Sequence, residues 1–473
     1  MSSISLSRQF ARWAAQLRYE DLPDEVIDKI KALLLHGLAG AFLGTGIESA
    51  RHMVRMTMDE EGRVKGGSVF GRNEKASRSA SAFANAELIH SSNLFDSYRM
   101  LTHPGPVLLP AALANAELEN RSGKDIIVAL ACGYEFSCRL CDRFIPSTAA
   151  RGFRPSPIYT IMGGALAGAK LLGLDEDGLV SAIAIAANFA SGLNEGPRVG
   201  GNEMAIHEPH AARNAIFAGL VARTGHIRGA EHSLEGKAGF YNAFTGNNEG
   251  RLSYVFNGPD QVDPSSITEG LGQDYKLLNV IFRMYPCAGY NQPVMELLKE
   301  MVQTHQINAP EVERVAITMN WIETLYPSPA FPRFHDWHVA RVGETPYYAA
   351  HVVVNGGYPV AGGRAFAPAD GKRLEDDQAV IQFMGRHVKL LPSEQYPMFS
   401  PTIDIRMKDG REYSQHYPYA RMEWDFEQLS GRLHESLSAP DLAPLIQVAR
   451  DLDQLDSMEP VFSSIPSWES SHG

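Results

Sequence analysis

IMGGALAGAKLL, residues 161–172, is the stretch that decides the fold. Glycine and alanine dominate it, and small side chains at a contact allow helices to approach closely. Apolar residues recur at helical spacing on both sides of it, over residues 26–38, 126–140, 176–190 and 205–224. The segment is therefore predicted to be the central helix of a helical bundle.

The pattern changes near residue 265, after turn-rich stretches at 257–260 and 263–266. Apolar residues then alternate with polar or small ones at 315–319 and 403–407, as in half-buried strands, and a hairpin-turn sequence follows at 408–411. Helical spacing occurs between them at 346–354 and returns after Trp424. We therefore predict a mainly α protein. A large all-helical domain (1–265 plus 416–473) would be interrupted by an inserted, smaller α+β lid domain (266–415).

Composition limits the classes of function. The chain has 473 residues and a net charge of −12, which argues against nucleic-acid binding. No apolar run reaches the roughly 20 residues of a membrane helix; the longest weak candidate, 178–193, contains Asn188. Four cysteines and an amino terminus without an apolar signal region predict a cytoplasmic protein that does not bind membranes.

Metal and cofactor motifs are also missing from the sequence. There is no glycine-rich dinucleotide loop, no Walker A loop and no G-x-S-x-G elbow. His207 and His210 resemble a zinc-protease box but lie three residues apart, where the box needs four. Cys138 and Cys141 form a C-x-x-C without a second ligand pair, and the pair at 335 and 338 is best explained as a solvated loop. We predict no metal and no cofactor.

Polar residues instead collect where helices should break, at 90–105, 151–159, 198–202 and 283–287, the last of which is predicted to open a helix. Helix starts present unpaired N–H groups that favour anions. Arginine, histidine and tyrosine at several such starts suit a pocket for a small polycarboxylate.

The same segments resemble the MmgE/PrpD family. The resemblance runs over nearly the whole chain and is carried by residues 10–13, 21–23, 133–135 with 139–140, 171–175, 234–236 with 239–240, and 285–287. It implies a helical domain with a smaller α+β lid, a site between them, a homodimer, and no metal or iron–sulfur cluster. It also implies a substrate such as 2-methylcitrate, cis-aconitate or iminodisuccinate.

The family's site residues are only partly kept. Its aspartate and threonine fall on Asn93 and Ser97, and the histidine of its H-P pair is kept as His103. A family histidine becomes Arg154, and the lysine before the Y-P pair becomes Arg283. The lysine before the 205–224 helix has no counterpart, and the histidine after the Y-P pair becomes Ala288.

These differences remove titratable groups and add permanent cations that bind carboxylates. They favour a simple α-proton transfer, so we predict a cofactor-independent epimerase of an iminodisuccinate-type acid. One alternative is a hydro-lyase or decarboxylase acting on a 2-methylcitrate-like or cis-aconitate-like acid. Another is a family member that binds a polyanion without turnover.

The resemblance makes His103 the first proton-transfer group. The opposite-face group stays open among three candidates, which are Tyr159, His207 and Lys237. The predicted carboxylate clamps and substrate-orienting residues are Arg99, Arg154, Arg198 and Arg283, with Asn93, Ser97 and Tyr285.

Overall fold

The computed structural model describes residues 4–196, 203–246, 264–285, 287–325, 345–357, 377–436 and 442–468. The chain forms two compact units, the first made of Met1–Phe282 and Asp425–Gly473 and the second of Arg283–Trp424. Helices dominate the described residues, with two small sheets, which confirms the mainly α prediction.

The described part of the first unit is helical apart from a small three-stranded antiparallel sheet. Its helices are α1 (Leu6–Gln16), α2 (Asp24–Gly44), α3 (Glu48–Glu61), α4 (Arg78–Ser91), α5 (Gly105–Leu118), α6 (Gly123–Cys141), α7 (Ile145–Ala150), α8 (Pro155–Leu171), α9 (Glu176–Asn188), α10 (His207–Arg223), α11 (Phe240–Thr245), α15 (Phe426–Ser436), α16 (Leu442–Arg450) and α17 (Glu459–Ser463). The strands are β1 (Gly62–Arg63), β2 (Gly67–Ser68) and β3 (Lys75–Ala76), in the order β1-β3-β2.

Helix α8 is the centre of this unit and packs against α5, α6, α9 and α10. Prolines in its first turn suit a helix start, because the missing N–H would be unpaired there anyway. A Cβ on Gly163 would lie 2.5 Å from the Gly133 carbonyl oxygen of α6, and one on Gly168 would lie 2.6 Å from Asn115 Nδ2 of α5. The small residues therefore set the helix spacing, as the sequence predicts.

Among the described helices, none is by itself both long and apolar enough to cross a membrane. The pair α2 and α3 meets those two criteria only when combined, and the two helices meet at an angle of 92°.

The second unit contains α12 (Asn291–His305), α13 (Thr345–Asn355) and α14 (Gln378–His387), with strands β4 (Val312–Asn320), β5 (Val388–Ser393), β6 (Thr402–Met407) and β7 (Glu412–His416). The strand order is β5-β4-β6-β7, with β4 parallel to β5 and the other two pairs antiparallel. Both predicted strands, the 408–411 turn and the helix near 346–354 are confirmed. Gly410 takes a φ of 91° in that turn, which favours glycine.

One predicted helix start is wrong. Helix α12 begins at Asn291 and not at residues 283–287. The Met284 amide donates to the side-chain Oε1 of Gln292, in the first turn of α12, at 2.8 Å.

Candidate functional site

The loop of residues 92–104 joins α4 to α5 and is held at several points. Asn93 and Arg99 both have left-handed backbones, with φ of 55° and 52°. Ser97 and Ile281 exchange two backbone hydrogen bonds of 2.9 and 2.8 Å. The Tyr98 amide donates to the Thr102 carbonyl at 2.8 Å. These bonds fix the backbone that leads to His103.

His103 is buried at the end of this loop, and its ring is oriented through Nδ1. That nitrogen lies 3.1 Å from the carbonyl oxygen of Asp96 and 3.1 Å from Ser97 Oγ. Because a carbonyl oxygen can only accept, Nδ1 carries a hydrogen in this arrangement. This leaves Nε2 as the ring nitrogen at which a proton can be exchanged. The His103 amide also donates to Ser156 Oγ at 3.0 Å.

Asp96 supports the same loop, although the sequence analysis did not single it out. Its carboxylate accepts from the Gly105 amide at 2.8 Å and from the Tyr134 hydroxyl at 2.7 Å. These bonds tie the loop to the start of α5 and to α6. Asp96 lies nine residues before Gly105, so it has no capping position that the sequence could reveal.

A buried ionic cluster lies beside His103. Glu208 on α10 contacts Arg154 Nη1 and lies 3.1 Å from His90 Nε2. Burial alone would raise the pKa of Glu208, but Arg154 and His90 outweigh it and hold that pKa well below its usual value, with a contribution from His103. The Phe95 ring stacks on His90 at 5.1 Å and lies 4.7 Å from the ring of His103, counted between centroids. One cluster therefore joins these five side chains.

His207 extends this cluster from the first position of α10. It is half-buried, and burial, with the neighbouring charge of Arg154, lowers its pKa to about 4. The ring is thus neutral at pH 7. Its Nδ1 is buried and has no hydrogen-bond partner among the described residues.

The three candidates for the second proton-transfer group differ in their surroundings. The pKa of His207 is lowered first by burial and then by Arg154, so a member of the buried cluster acts on this candidate. Tyr159 lies inside α8, its hydroxyl is 2.6 Å from Thr148 Oγ1, and burial raises its pKa well above the usual value. Lys237 is exposed.

Two of the four predicted carboxylate clamps pair with acids of the protein itself. Arg154 pairs with Glu208, as above. Arg99 donates from Nε and Nη2 to Asp142 Oδ1 at 3.0 and 2.8 Å. Burial opposes ionisation of Asp142, but Arg99 and the Tyr98 hydroxyl outweigh it and lower the pKa of that carboxyl. Sequence reasoning missed both acids, because spacing along the chain does not say which acid folds beside which arginine.

The remaining predicted residues are less informative. Asn93 is half-buried and follows the end of α4. In the second unit, Arg283 is buried and Tyr285 is half-buried. Arg198 lies outside the described residues, as do His335 and His338.

Within the described ranges, no three His, Cys, Asp or Glu side chains are grouped as metal ligands. His210 is exposed, with its Nε2 3.0 Å from Asn214 Nδ2. Cys132, Cys138 and Cys141 are buried on α6, and burial raises the pKa of each thiol. These cysteines have the environment of apolar core residues.

The chain is similar in sequence to a known protein family and to several characterised relatives. The model of the MmgE/PrpD N-terminal domain matches residues 8–253. The chain is 28% identical over 310 residues to the cis-aconitate decarboxylase-like protein oryM of Aspergillus oryzae, covering 64% of this chain and 62% of that protein. It is 28% identical over 307 residues to cis-aconitate decarboxylase of Aspergillus terreus, covering 63% and 60%.

A third relative, cis-aconitate decarboxylase of Homo sapiens, is 29% identical over 242 residues, which is 50% of each chain. In each of these three cases the match covers less than two thirds of the relative's length.

Proposed function

The chain belongs to the MmgE/PrpD family, and from this premise we propose that it is a cofactor-independent lyase that decarboxylates a cis-aconitate-like polycarboxylic acid. The observation that carries the proposal is the His103 ring, oriented through Nδ1 and buried beside the Glu208 cluster. The relatives, which are named as decarboxylases, support a lyase over the epimerase that the sequence analysis favours.

The chemistry needs an acid and a place for negative charge. The bond between carbon and one carboxylate breaks, CO2 leaves, and the electron pair spreads through the adjacent C=C bond onto a remaining carboxylate. A proton from His103 Nε2 then adds to carbon, and His103 recovers a proton from solvent. General-acid catalysis of this kind contributes on the order of 10²–10⁴-fold to a rate.

Glu208 has a supporting role in this proposal. It is fully buried and ionised, and its negative charge lies among His90, His103 and Arg154. A buried carboxylate attracts positive charge on its neighbours more strongly than one in water. It would therefore stabilise His103 in the protonated form that donates to carbon.

A second candidate is an epimerase of an iminodisuccinate-type acid. It is favoured by residues 93 and 154, which hold an amide and a guanidinium where the resemblance implies an aspartate and a histidine. Neither replacement can exchange a proton near neutral pH. Epimerisation moves one proton off carbon and one back, so it needs fewer titrating groups than loss of water.

The test is proton NMR in D2O with cis-aconitate, 2-methylcitrate and iminodisuccinate stereoisomers as separate substrates. We expect CO2 release from cis-aconitate and one deuterium on carbon in the product. Exchange of the α-hydrogen of iminodisuccinate without mass loss would support the epimerase instead. Loss of water from 2-methylcitrate would indicate a hydro-lyase, and no turnover of any of the three would overturn the enzyme proposal.

We also propose that the protein assembles as a homodimer, as the family resemblance implies. Light scattering coupled to gel filtration should then report twice the 51.9 kDa mass of one chain. A mass of one chain across micromolar concentrations would contradict this.

A further inference from the structure

Residues 192–194 lie against the loop that carries Arg154. The Arg154 amide donates to the Gly192 carbonyl at 3.0 Å, and the Asn194 amide donates to the Gly152 carbonyl at 2.9 Å. Between these bonds, Phe153 and Leu193 form an antiparallel bridge. The pairing fixes the position of Asn194 relative to Arg154.

Alternate residues of this segment face inward. Leu193 is 63% exposed, whereas Asn194 is 4% exposed. On the inner side, a Cβ on Gly192 would lie 3.4 Å from His207 Nδ1, and one on Gly196 would lie 2.6 Å from Glu203 Oε1. Asn194 thus lies between two residues that face the 203–207 segment.

Two buried polar atoms on this inner face have no hydrogen-bond partner among the described residues: Asn194 Nδ2 and His207 Nδ1. Buried polar atoms in native proteins nearly always have a partner, so each exception requires an explanation. Here the two exceptions come from neighbouring segments: Asn194 follows the bridge to the loop that carries Arg154, and His207 directly precedes Glu208.

The chemistry of these atoms identifies what they would bind. The Asn194 amide nitrogen is a donor only, and a neutral imidazole can place its one N–H at Nδ1. Two N–H donors can each bond one of the two oxygens of a carboxylate. Because His207 is neutral at pH 7, it offers a hydrogen bond and not a second fixed charge.

We propose that Asn194 and His207 form a subsite that binds one carboxylate group of the substrate. The proposal deepens the polycarboxylate lyase argued above and rests on it for the identity of the substrate. Asn194 is a binding residue in this scheme and takes no part in proton transfer.

The test uses Asn194→Asp in the full chain, which keeps the side-chain size and replaces the amide donors by a negative charge. Binding of tricarballylate, a saturated tricarboxylate, is measured by calorimetry, and KM and kcat are measured with cis-aconitate. A hydrogen bond to a charged group is strong enough that we expect a rise of at least about tenfold in both Kd and KM, with kcat changed less than about threefold.

The matched control is Asn242→Asp, which makes the same charge change at an exposed residue and should leave Kd and KM unchanged. If Asn194→Asp does not fold, as judged by circular dichroism, Asn194→Leu removes the donors without adding charge and should weaken tricarballylate binding similarly.

The outcomes separate the two proposals. Unchanged Kd and KM in a folded Asn194 variant would overturn the subsite while leaving the lyase intact. A parent that binds tricarballylate through Asn194 but releases no CO2 from cis-aconitate would overturn the lyase and support the subsite. A parent that does not bind tricarballylate would overturn the subsite.

Discussion

Arg154 donates from Nη1 to the carboxylate of Glu208, and both side chains are buried. The family resemblance places a histidine at residue 154, so the arginine there suggested a clamp for a substrate carboxylate. The structure gives that arginine a carboxylate of the protein itself. Its charge keeps Glu208 ionised beside His90 and His103.

Removing Arg154 should therefore damage stability as well as activity. Arg154→Met leaves a buried carboxylate without its main counter-charge, a loss that costs about 3–5 kcal/mol in other proteins. We expect Glu208→Gln to recover a large part of this in the double variant, because the uncompensated charge is then gone. Chemical denaturation of the parent, the two single variants and the double variant measures the coupling free energy between Arg154 and Glu208.

The exposed pair of Arg450 and Glu427, 2.8 Å apart, is the control for this cycle. Its coupling should be about 0–1 kcal/mol, as is typical of surface ion pairs. Equal coupling in the two cycles would show that the buried pair has no special role.

His103→Gln should reduce turnover on the order of 10²–10⁴-fold, because an amide cannot transfer the proton. Gln keeps an N–H that can reach the Asp96 carbonyl, so we expect the fold and the binding of tricarballylate to be retained. The pH–rate profile should also lose a limb between about pH 5 and 8, where histidines titrate. Steady-state rates across that range check both effects.

The control is His52→Gln, which changes an exposed histidine and should leave the rates unchanged. Near-parental turnover by His103→Gln would move the proton-transfer role to His207.

Glu323 should make the second unit less stable as pH rises. It is buried, its Oε1 accepts from the Phe399 amide at 2.8 Å, and burial raises its pKa to about 8. Between an unfolded pKa near 4.5 and the folded value, the folded chain holds a proton that the unfolded chain has lost. Stability from this group is therefore complete below about pH 4.5 and declines as pH rises towards about 8.

Glu323→Gln removes this titration while keeping an oxygen for Phe399. The variant should unfold about 3 °C or more above the parent at pH 8 and close to it at pH 5. Thermal melts at several pH values test this. Parallel curves for the two proteins would mean that Glu323 titrates normally in the folded chain.

Gly163→Ala should be destabilising by about 1–3 kcal/mol, because the new methyl group overlaps Ser137 Oγ and lies 2.5 Å from the Gly133 carbonyl oxygen. The helices α6 and α8 would have to separate.

The matched control is Gly431→Ala, at an exposed helical position with no atom within 4 Å of a new Cβ. That change should stabilise the chain by about 0.4–1 kcal/mol. Chemical denaturation should show a lower free energy of unfolding for Gly163→Ala and a higher one for Gly431→Ala.

Much of the architecture follows from the sequence alone. The small residues of 161–172 and the helical spacing around them predicted α8 and its close packing, because these are local properties of the chain. The alternation at 315–319 and 403–407 predicted β4 and β6 for the same reason. The start of α12 was misplaced: the helix begins at Asn291, and the Gln292 side chain reaches back to the Met284 amide, a contact that no periodicity reveals.

For the candidate site too, some features could be predicted from the sequence and others only from the tertiary structure. The family resemblance of the sequence pointed to His103, Ser97 and Arg154, and it left His207 as one of three candidates for the second proton-transfer group. Only the tertiary structure decided that Arg154 pairs with Glu208, that Arg99 pairs with Asp142, and that Nδ1 of His103 faces a carbonyl. The two charge pairs join residues 43 and 54 positions apart, and the ring orientation depends on the backbone direction of a loop. Local spacing carries no information on such contacts, because packing between helices alone brings these groups together.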